Sequence, residues 1–206
     1  MSDVTNVLLV GVGGQGTILA SKILTMGLIE NGYDVKMSEV HGMSQRGGSV
    51  STQVRFGKKV YSPIIGEGMA DILVAFEEME AARYAKFLKP DGKMVINRLC
   101  IPSLPVLSGQ VAYPEHIIES LKKDFPVLDL DATRIATEIG NPKSANVVLL
   151  GALVQALGLT NLDWSDFISR TVKPKFVDVN LKAFQKGREA VAGGERSWPV
   201  ISLQGK

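Results

Sequence analysis

Two residue types are nearly missing from this sequence: cysteine occurs once, at position 100, and histidine twice, at 41 and 116. A single cysteine excludes an internal disulfide and any all-cysteine metal or iron–sulfur site built by the chain alone. It also fits the reducing cytoplasm as the compartment. Aromatics are only 6% of the 206 residues, and no basic stripe is interleaved with them, which argues against stacking on nucleic-acid bases. Charge is nearly balanced as well: 23 Lys and Arg against 21 Asp and Glu leave +2, too little to favour nucleic acid or a membrane surface. The cleanest apolar runs are short, such as Ile72–Phe76, and none is long enough to span a bilayer. The first residues carry Asp3 and reach a glycine-rich turn by Gly11, which is not the pattern of a signal peptide.

What is present, 45% hydrophobic and 21% charged residues, is the balance of a globular domain with a full core. Strand and helix patterns alternate along it. Asn6–Val10 reads as a buried strand, and Ile18, Leu19, Ile23, Leu24 and Leu28 recur at helical spacing before the stop at Asn31-Gly32. Val35–Val40 reads as the second strand and Ser49–Phe56 as a half-buried third. Gly57-Lys58-Lys59 is expected to turn that third strand into Val60-Tyr61 as an inserted hairpin.

A strand over Asp71–Phe76 and a helix over Glu77–Leu88 follow, with Met79, Ala82 and Phe87 as inward candidates. Pro90-Asp91-Gly92 is expected to turn, the glycine at positive φ. Further strands are expected at Met94–Ile96 and Val127–Leu130, with an irregular crossover at 100–114. The remaining helices are Glu115–Asp124, Asp131–Ile139, one capped by Ser144 or Asn146 and running to Leu157, Trp164–Val172 and Val177–Val191. The helix ending at Leu157 is apolar nearly all round, so it must lie deep in the core or under a partner. The fold class is therefore α/β: a three-layer, mainly parallel Rossmann-like sheet with an inserted hairpin and a C-terminal helical segment. Residues 1–192 form the domain, and 193–206 an aperiodic tail.

In such sheets ligands gather at the carboxyl ends of the strands. Two glycine-bearing loops are expected at that edge, which makes a binding site there more credible than either loop alone. The first, Gly11-Val12-Gly13-Gly14-Gln15-Gly16, follows a strand and opens a helix, the context of a dinucleotide fingerprint. Gly11 would serve the tight turn, Gly13 the approach of backbone to a phosphate, and Gly16 close helix packing. Gln15 sets an amide where a pyrophosphate would lie, and Glu39 is the candidate ribose acid. The bland alternative is a tight strand–helix turn with no nucleotide.

The second loop, His41-Gly42-Met43-Ser44-Gln45-Arg46-Gly47-Gly48, has no hydrophobic period. Arg46 offers a permanently charged planar fork for a carboxylate or phosphate, and Gly47 and Gly48 can turn backbone N–H groups toward an anion. His41, with an ordinary pKa of about 6.5, is a candidate acid, base or loop-orienting residue. The alternative is a surface loop whose glycines only turn the chain. His116 falls in an ordinary helix and has no assigned role, and Cys100 reads as a small buried residue. Glu77, Glu78 and Glu80 fall in a first helical turn, which the helix dipole suffices to explain. No serine elbow, Walker loop, His-Glu-x-x-His helix or Gly-Asp-Gly thiamine-binding segment is present, and no metal ligands are assigned.

The stretch Val10–Gly16 together with Ser38–Ser49 resembles the gamma-type subunit of 2-oxoacid:ferredoxin oxidoreductases, and is most similar to the beta subunit of the indolepyruvate enzyme. Asn141-Pro142, Ala145-Asn146, Val179–Phe184 and Gly187 continue the resemblance, which covers residues from about 5 to 192. The resemblance implies oxidative decarboxylation of a 2-oxoacid, indolepyruvate or pyruvate, with coenzyme A as cosubstrate and ferredoxin as acceptor. It places thiamine diphosphate, magnesium and iron–sulfur clusters on partner subunits, none on this chain alone. The chain is then a site-completing subunit, inactive by itself. The all-apolar helix and the tail lead one to expect an oligomer or a bound subunit rather than a free monomer, a homodimer being the commonest closed assembly when the partner is missing. The expected site residues are Gly11, Gly13, Gly14, Gln15, Gly16, Ser44, Gln45, Arg46, Gly47 and Gly48, with His41 and Arg46 as catalytic candidates. The rivals are an NAD-type dehydrogenase and a non-catalytic nucleotide-binding regulatory module.

Overall fold

The computed structural model describes residues 4–41 and 47–192. In chain order these form β1 (Val4–Val12), α1 (Thr17–Glu30), β2 (Asp34–His41), β3 (Ser49–Gly57), β4 (Ala70–Ala75), α2 (Glu78–Tyr84) and β5 (Leu88–Asn97). They continue as α3 (Leu104–Leu107), α4 (Ile117–Asp124), β6 (Val127–Leu130), α5 (Ala132–Glu138), α6 (Ala145–Leu157), α7 (Trp164–Thr171) and α8 (Val177–Ala192). Residues 42–46, which include Ser44, Gln45 and Arg46, lie outside the described residues, as do the side chain of His41 and the tail 193–206.

The strands make one sheet in the order β2-β3-β1-β4-β5-β6. The pairings β1–β4, β4–β5 and β5–β6 are parallel, whereas β3 is antiparallel to both β1 and β2. All strands but β3 therefore run the same way, and the mixed sheet keeps its carboxyl edge. Alternation divides the core between the two faces. Val7 and Leu9 of β1, Ile72 and Val74 of β4, and Val95 of β5 pack on one side with α1, α5 and α6. Leu8 and Val10, Leu73 and Ala75, and Met94 and Ile96 pack on the other with Ala81 of α2 and Ile117, Ile118 and Leu121 of α4. Three layers follow directly from that period.

The inserted hairpin differs from the expected one. It is β2–β3, joined through the 42–48 segment, and β3 is buried because it pairs on both sides, from Val4↔Gly57 to Val12↔Ser49 with β1 and from Asp34↔Gly57 to His41↔Val50 with β2. Residues 60–64 do not return as a strand. Side chains satisfy their backbone instead: Asp34 accepts from the Val60 N–H at 2.9 Å, and the Arg55 guanidinium donates to the Ser62 and Ile64 carbonyls. Pro90-Asp91-Gly92 lies inside β5, in a break of register where Ala70↔Leu88 passes to Ile72↔Lys93. Gly92 is not among the positive-φ glycines; a Cβ there would press on Leu88 at 2.6 Å and on the Ala70 carbonyl at 3.0 Å.

Smaller differences have equally local causes. Ile18 is 53% exposed, on the open face of α1. Ala81, not Ala82, is the inward alanine of α2, which ends at Tyr84 before a 3-10 turn over Ala85–Phe87. His116 takes a left-handed conformation, φ 59°, at the N-cap of α4 rather than lying within a helix. Ser144 stands at the N-cap of α6 without a side-chain cap bond, and its hydroxyl accepts from Asn141 at 2.9 Å.

The all-apolar helix is buried within the chain itself, so it is no argument for a homodimer. α6 packs on α1, α5 and α8, and its contact with α8 is backbone on backbone. A Cβ on Gly187 would sit 1.9 Å from the Val148 carbonyl oxygen, and one on Gly151 would sit 2.1 Å from that of Phe184. Gly187 lies against Val148 and Ala152, and Gly151 against Phe184 and Arg188. Gly187→Ala should cost about 2 kcal/mol or more, since neither backbone can yield, and the shift will appear in the urea midpoint with a similar slope.

Candidate functional site

Both glycine loops emerge at the carboxyl edge and are bonded to each other. The Gly13 N–H donates to the Gly48 carbonyl at 2.8 Å, and the Gly47 N–H to the Gly13 carbonyl at 3.4 Å, extending the β1–β3 ladder past Val12↔Ser49. Gly47 has φ +83°, which a Cβ would strain. Its N–H is thus spent on Gly13 and is not turned toward a ligand as expected.

Gln15 is spent as well. Its Oε1 accepts from the Val12 N–H at 2.7 Å and its Nε2 donates to the Phe76 carbonyl at 2.9 Å. The same carbonyl accepts from Asn97 at 3.2 Å, and Asn97 in turn accepts from the Ala132 N–H at 2.9 Å. A polar seam thus stitches the ends of β1, β4 and β5 to the start of α5. The glycines around Gln15 serve that seam and the packing. A Cβ on Gly11, inside β1 rather than at a turn, would meet Gln15 Oε1 at 2.7 Å. One on Gly16 would meet Asn146 of α6 at 2.4 Å, so the close packing there is helix on helix, with Asn146 donating to the Gly16 carbonyl at 3.2 Å.

Two clefts flank the paired loops. One, of about 300 Å³, is lined by Gly13, Gly14, Gly16, Ile18, Glu39 and Val40, with Val50–Thr52 of β3 as its floor. It unites the glycine turn with Glu39, but across β3. In a dinucleotide fold β2 would adjoin β1, and here Glu39 stands one strand further out, about 4.8 Å. That spacing, together with the committed Gln15 amide, weighs against the NAD-type alternative. The α1 N-terminus opens here with no side-chain cap and no acidic residue in its first turn.

The other cleft, of about 480 Å³, lies between Gly47–Ser49, α2 and the 101–113 crossover. Its polar residues were not foreseen as a group. Glu77, 1% exposed, caps α2 through the Glu80 N–H at 2.9 Å and accepts from the Ile101 N–H at 3.0 Å and the Tyr113 hydroxyl at 2.6 Å. Burial, and then that bond to Glu77, pushes the Tyr113 hydroxyl up. Glu80, 4% exposed, accepts from the Ser49 hydroxyl and from Arg83 Nε at 3.1 Å. Cys100 is exposed, not buried as expected, and partial desolvation raises its thiol, which favours the protonated form. Leu104 and Leu107 of α3 stand 81% and 69% exposed at the lip. The one signal in the sequence was the close spacing of Glu77 and Glu80; their burial and partners arise from the fold.

A family profile described as pyruvate ferredoxin/flavodoxin oxidoreductase matches residues 6–190. The chain belongs to that family. It is 43% identical over 191 residues to the indolepyruvate oxidoreductase subunit IorB of Pyrococcus horikoshii, covering 90% of this chain and 95% of the relative. It is 30% identical to the 2-oxoglutarate synthase subunit KorC of Methanothermobacter marburgensis, over 90% of this chain and 96% of that one. The gamma subunit of a keto/oxoacid ferredoxin oxidoreductase from Geobacter sulfurreducens shares the fold with a TM-score of 0.70 at 24% identity, over 92% of this chain and 99% of that one. A 2-oxoglutarate:ferredoxin oxidoreductase chain from Magnetococcus marinus aligns with a TM-score of 0.74 at 19% identity; this chain covers 33% of it, so the fold there is one part of a longer polypeptide. Among the described residues no helix is long and apolar enough to cross a membrane, and no cluster of His, Cys, Asp or Glu has the makings of a metal site.

Gln15→Leu should destabilise the protein by about 1–3 kcal/mol, the cost of leaving the Val12 N–H without its acceptor. Gly11→Ala should do the same by expelling the Gln15 oxygen, so the double variant should be little worse than either single one in urea unfolding.

Proposed function

We propose that this chain is the site-completing subunit of an indolepyruvate-type 2-oxoacid:ferredoxin oxidoreductase, which decarboxylates its 2-oxoacid oxidatively to an acyl-coenzyme A and passes electrons to ferredoxin. The observation that carries this reading is the 43% identity, nearly end to end, with a subunit of an indolepyruvate oxidoreductase. The chain's own donors do not fit the redox or thiamine groups of such an enzyme. Its one cysteine is exposed and stands apart from any cluster of metal ligands among the described residues. In this reading thiamine diphosphate, magnesium and the iron–sulfur clusters belong to partner subunits, and a single cysteine cannot by itself hold a cluster. The assembly is cytoplasmic.

The chain's part is to bind and orient an anion. Gly47 and Gly48, which follow Arg46 in the sequence, are hydrogen-bonded to Gly13 at the carboxyl edge. Arg46 holds a carboxylate of the 2-oxoacid or a phosphate of coenzyme A or thiamine diphosphate at the subunit junction, with His41 orienting the loop. Holding the group before reaction removes part of the entropy of bringing reactants together.

The isolated chain should reduce no viologen with any 2-oxoacid; robust turnover without added subunits overturns the assignment. In the assembled enzyme, Arg46→Lys should raise the apparent KM or lower kcat about tenfold, since lysine cannot reproduce the bidentate fork. Wild-type kinetics in that variant would remove the anion role. His41→Gln should cost much less than the roughly 100-fold expected for a lost general base.

A further inference from the structure

The crossover between β5 and α4 carries no charge. From Leu99 to Pro114 run 16 consecutive residues without Asp, Glu, Lys, Arg or His, where a chain 21% charged would place about three. Most of that stretch nevertheless faces water: Leu104 and Leu107 of α3 are 81% and 69% exposed, and Val111 is 55% exposed. Contiguous exposed apolar surface marks a binding face, and loss of charge marks the middle of one.

The segment is also rigid. Both its ends close on one carboxylate, Glu77 accepting from the Ile101 N–H at 3.0 Å and from the Tyr113 hydroxyl at 2.6 Å. Between those anchors the Leu107 and Ser108 N–H groups donate to the Ser103 and Leu104 carbonyls, each at 2.9 Å, and the Gln110 N–H donates to the Pro105 carbonyl at 2.9 Å. Pro102 and Pro105 fix φ at two further points. The leucines therefore stand on an ordered support, and little freedom is left to lose when they are covered.

The wall beneath them is acidic. Glu77 and Glu80 are buried in it, and burial first, then the charges of Glu77, Glu119 and Asp129, raises the Glu78 carboxyl. Arg83 is already paired with Glu80, and Arg98 and Lys122 with Asp129. A second copy seated through a twofold axis would set this acidic wall against itself. A face that is apolar with a basic side chain at its rim complements it in both respects.

We propose that the crossover is the seat of another subunit of the same enzyme, which covers Leu104 and Leu107 with apolar side chains and sets a basic one beside Glu78. This rests on the reading of the chain as one subunit of an oxidoreductase. Seated there, the partner closes the cleft between α2 and the crossover.

The test is titration calorimetry of the full chain against the remaining subunits of the same enzyme, purified together without it. Leu104→Asp combined with Leu107→Asp should weaken binding about thirtyfold or more, while the Tm of the isolated chain stays within about 2 °C, since both positions are on the surface. Glu119→Lys should weaken it about threefold or more, by an amount that shrinks as salt is added; this variant carries the test alone if the leucine variant is unstable. Tyr61→Asp, on an 89% exposed residue of the segment that enters β4 at the opposite edge, should bind as the wild type does. The Leu107 and Gln110 amides should exchange more slowly in the complex than in the chain alone. Undiminished binding by the leucine variant overturns the proposal and leaves the subunit reading standing. So does a dimer of the isolated chain that the leucine variant abolishes, which makes the covering partner a second copy. Failure of the wild-type chain to bind those subunits removes the subunit reading and the seat with it.

Discussion

The antiparallel pairing of β3 against β1 is the constraint on which the rest of the molecule depends. Nine register pairs, from Val4↔Gly57 to Val12↔Ser49, run the length of both strands, and the ladder continues into the bond between Gly13 and Gly48. That continuation places the two glycine loops against each other with no contribution from side chains. It also sets β2 outermost, so the cleft beside α1 is floored by β3 and walled by Glu39 and Val40. On the other side, β1 is joined to β4, and the Gln15–Phe76–Asn97 seam carries the registration across to α5. The carboxyl edge is thus one hydrogen-bonded unit from β3 to α5.

Much of this was legible from residue periods. The alternation of β1, β4 and β5 and the termini of α1 were visible because burial on a strand or helix follows a local repeat. The position of β3 was not, because a strand that pairs on both sides carries the same alternation as one that pairs on one. Gly57-Lys58-Lys59 looked like a hairpin turn for the same reason: turn residues mark where a strand ends, not what it returns to. Glycine was misread where its purpose is space and not φ. Gly11 admits an amide and Gly92 a leucine, and in neither case does neighbouring sequence announce the visitor. Gln15 was read as facing a ligand, and it faces the sheet because the Val12 N–H and the Phe76 carbonyl have greater need of it.

The acidic first turn of α2 shows how one feature accepts two explanations. Negative charge at a helix N-terminus is stabilising, and Glu77 does cap the helix. Yet an N-terminal charge gains that benefit while exposed to water, and these carboxylates are buried, with donors arriving from residues far away in sequence. Their role is to bind elements together: Glu77 ties down the crossover and Glu80 the end of the glycine loop. Each forms only after the sheet has brought those partners near, so the sequence shows the acids and not their use.

A hairpin link differs from a helical crossover in what it lets a lineage alter. A crossover between parallel strands must carry the chain the full length of the sheet, and its helix is part of the core. The connection between β2 and β3 joins the near ends of two paired neighbours, and it can grow or shrink while every strand keeps its place. Doubling the length of such a link costs only about 0.6 kcal/mol of closure entropy. Among the connections at the carboxyl edge, this one can change length without refolding anything beneath it.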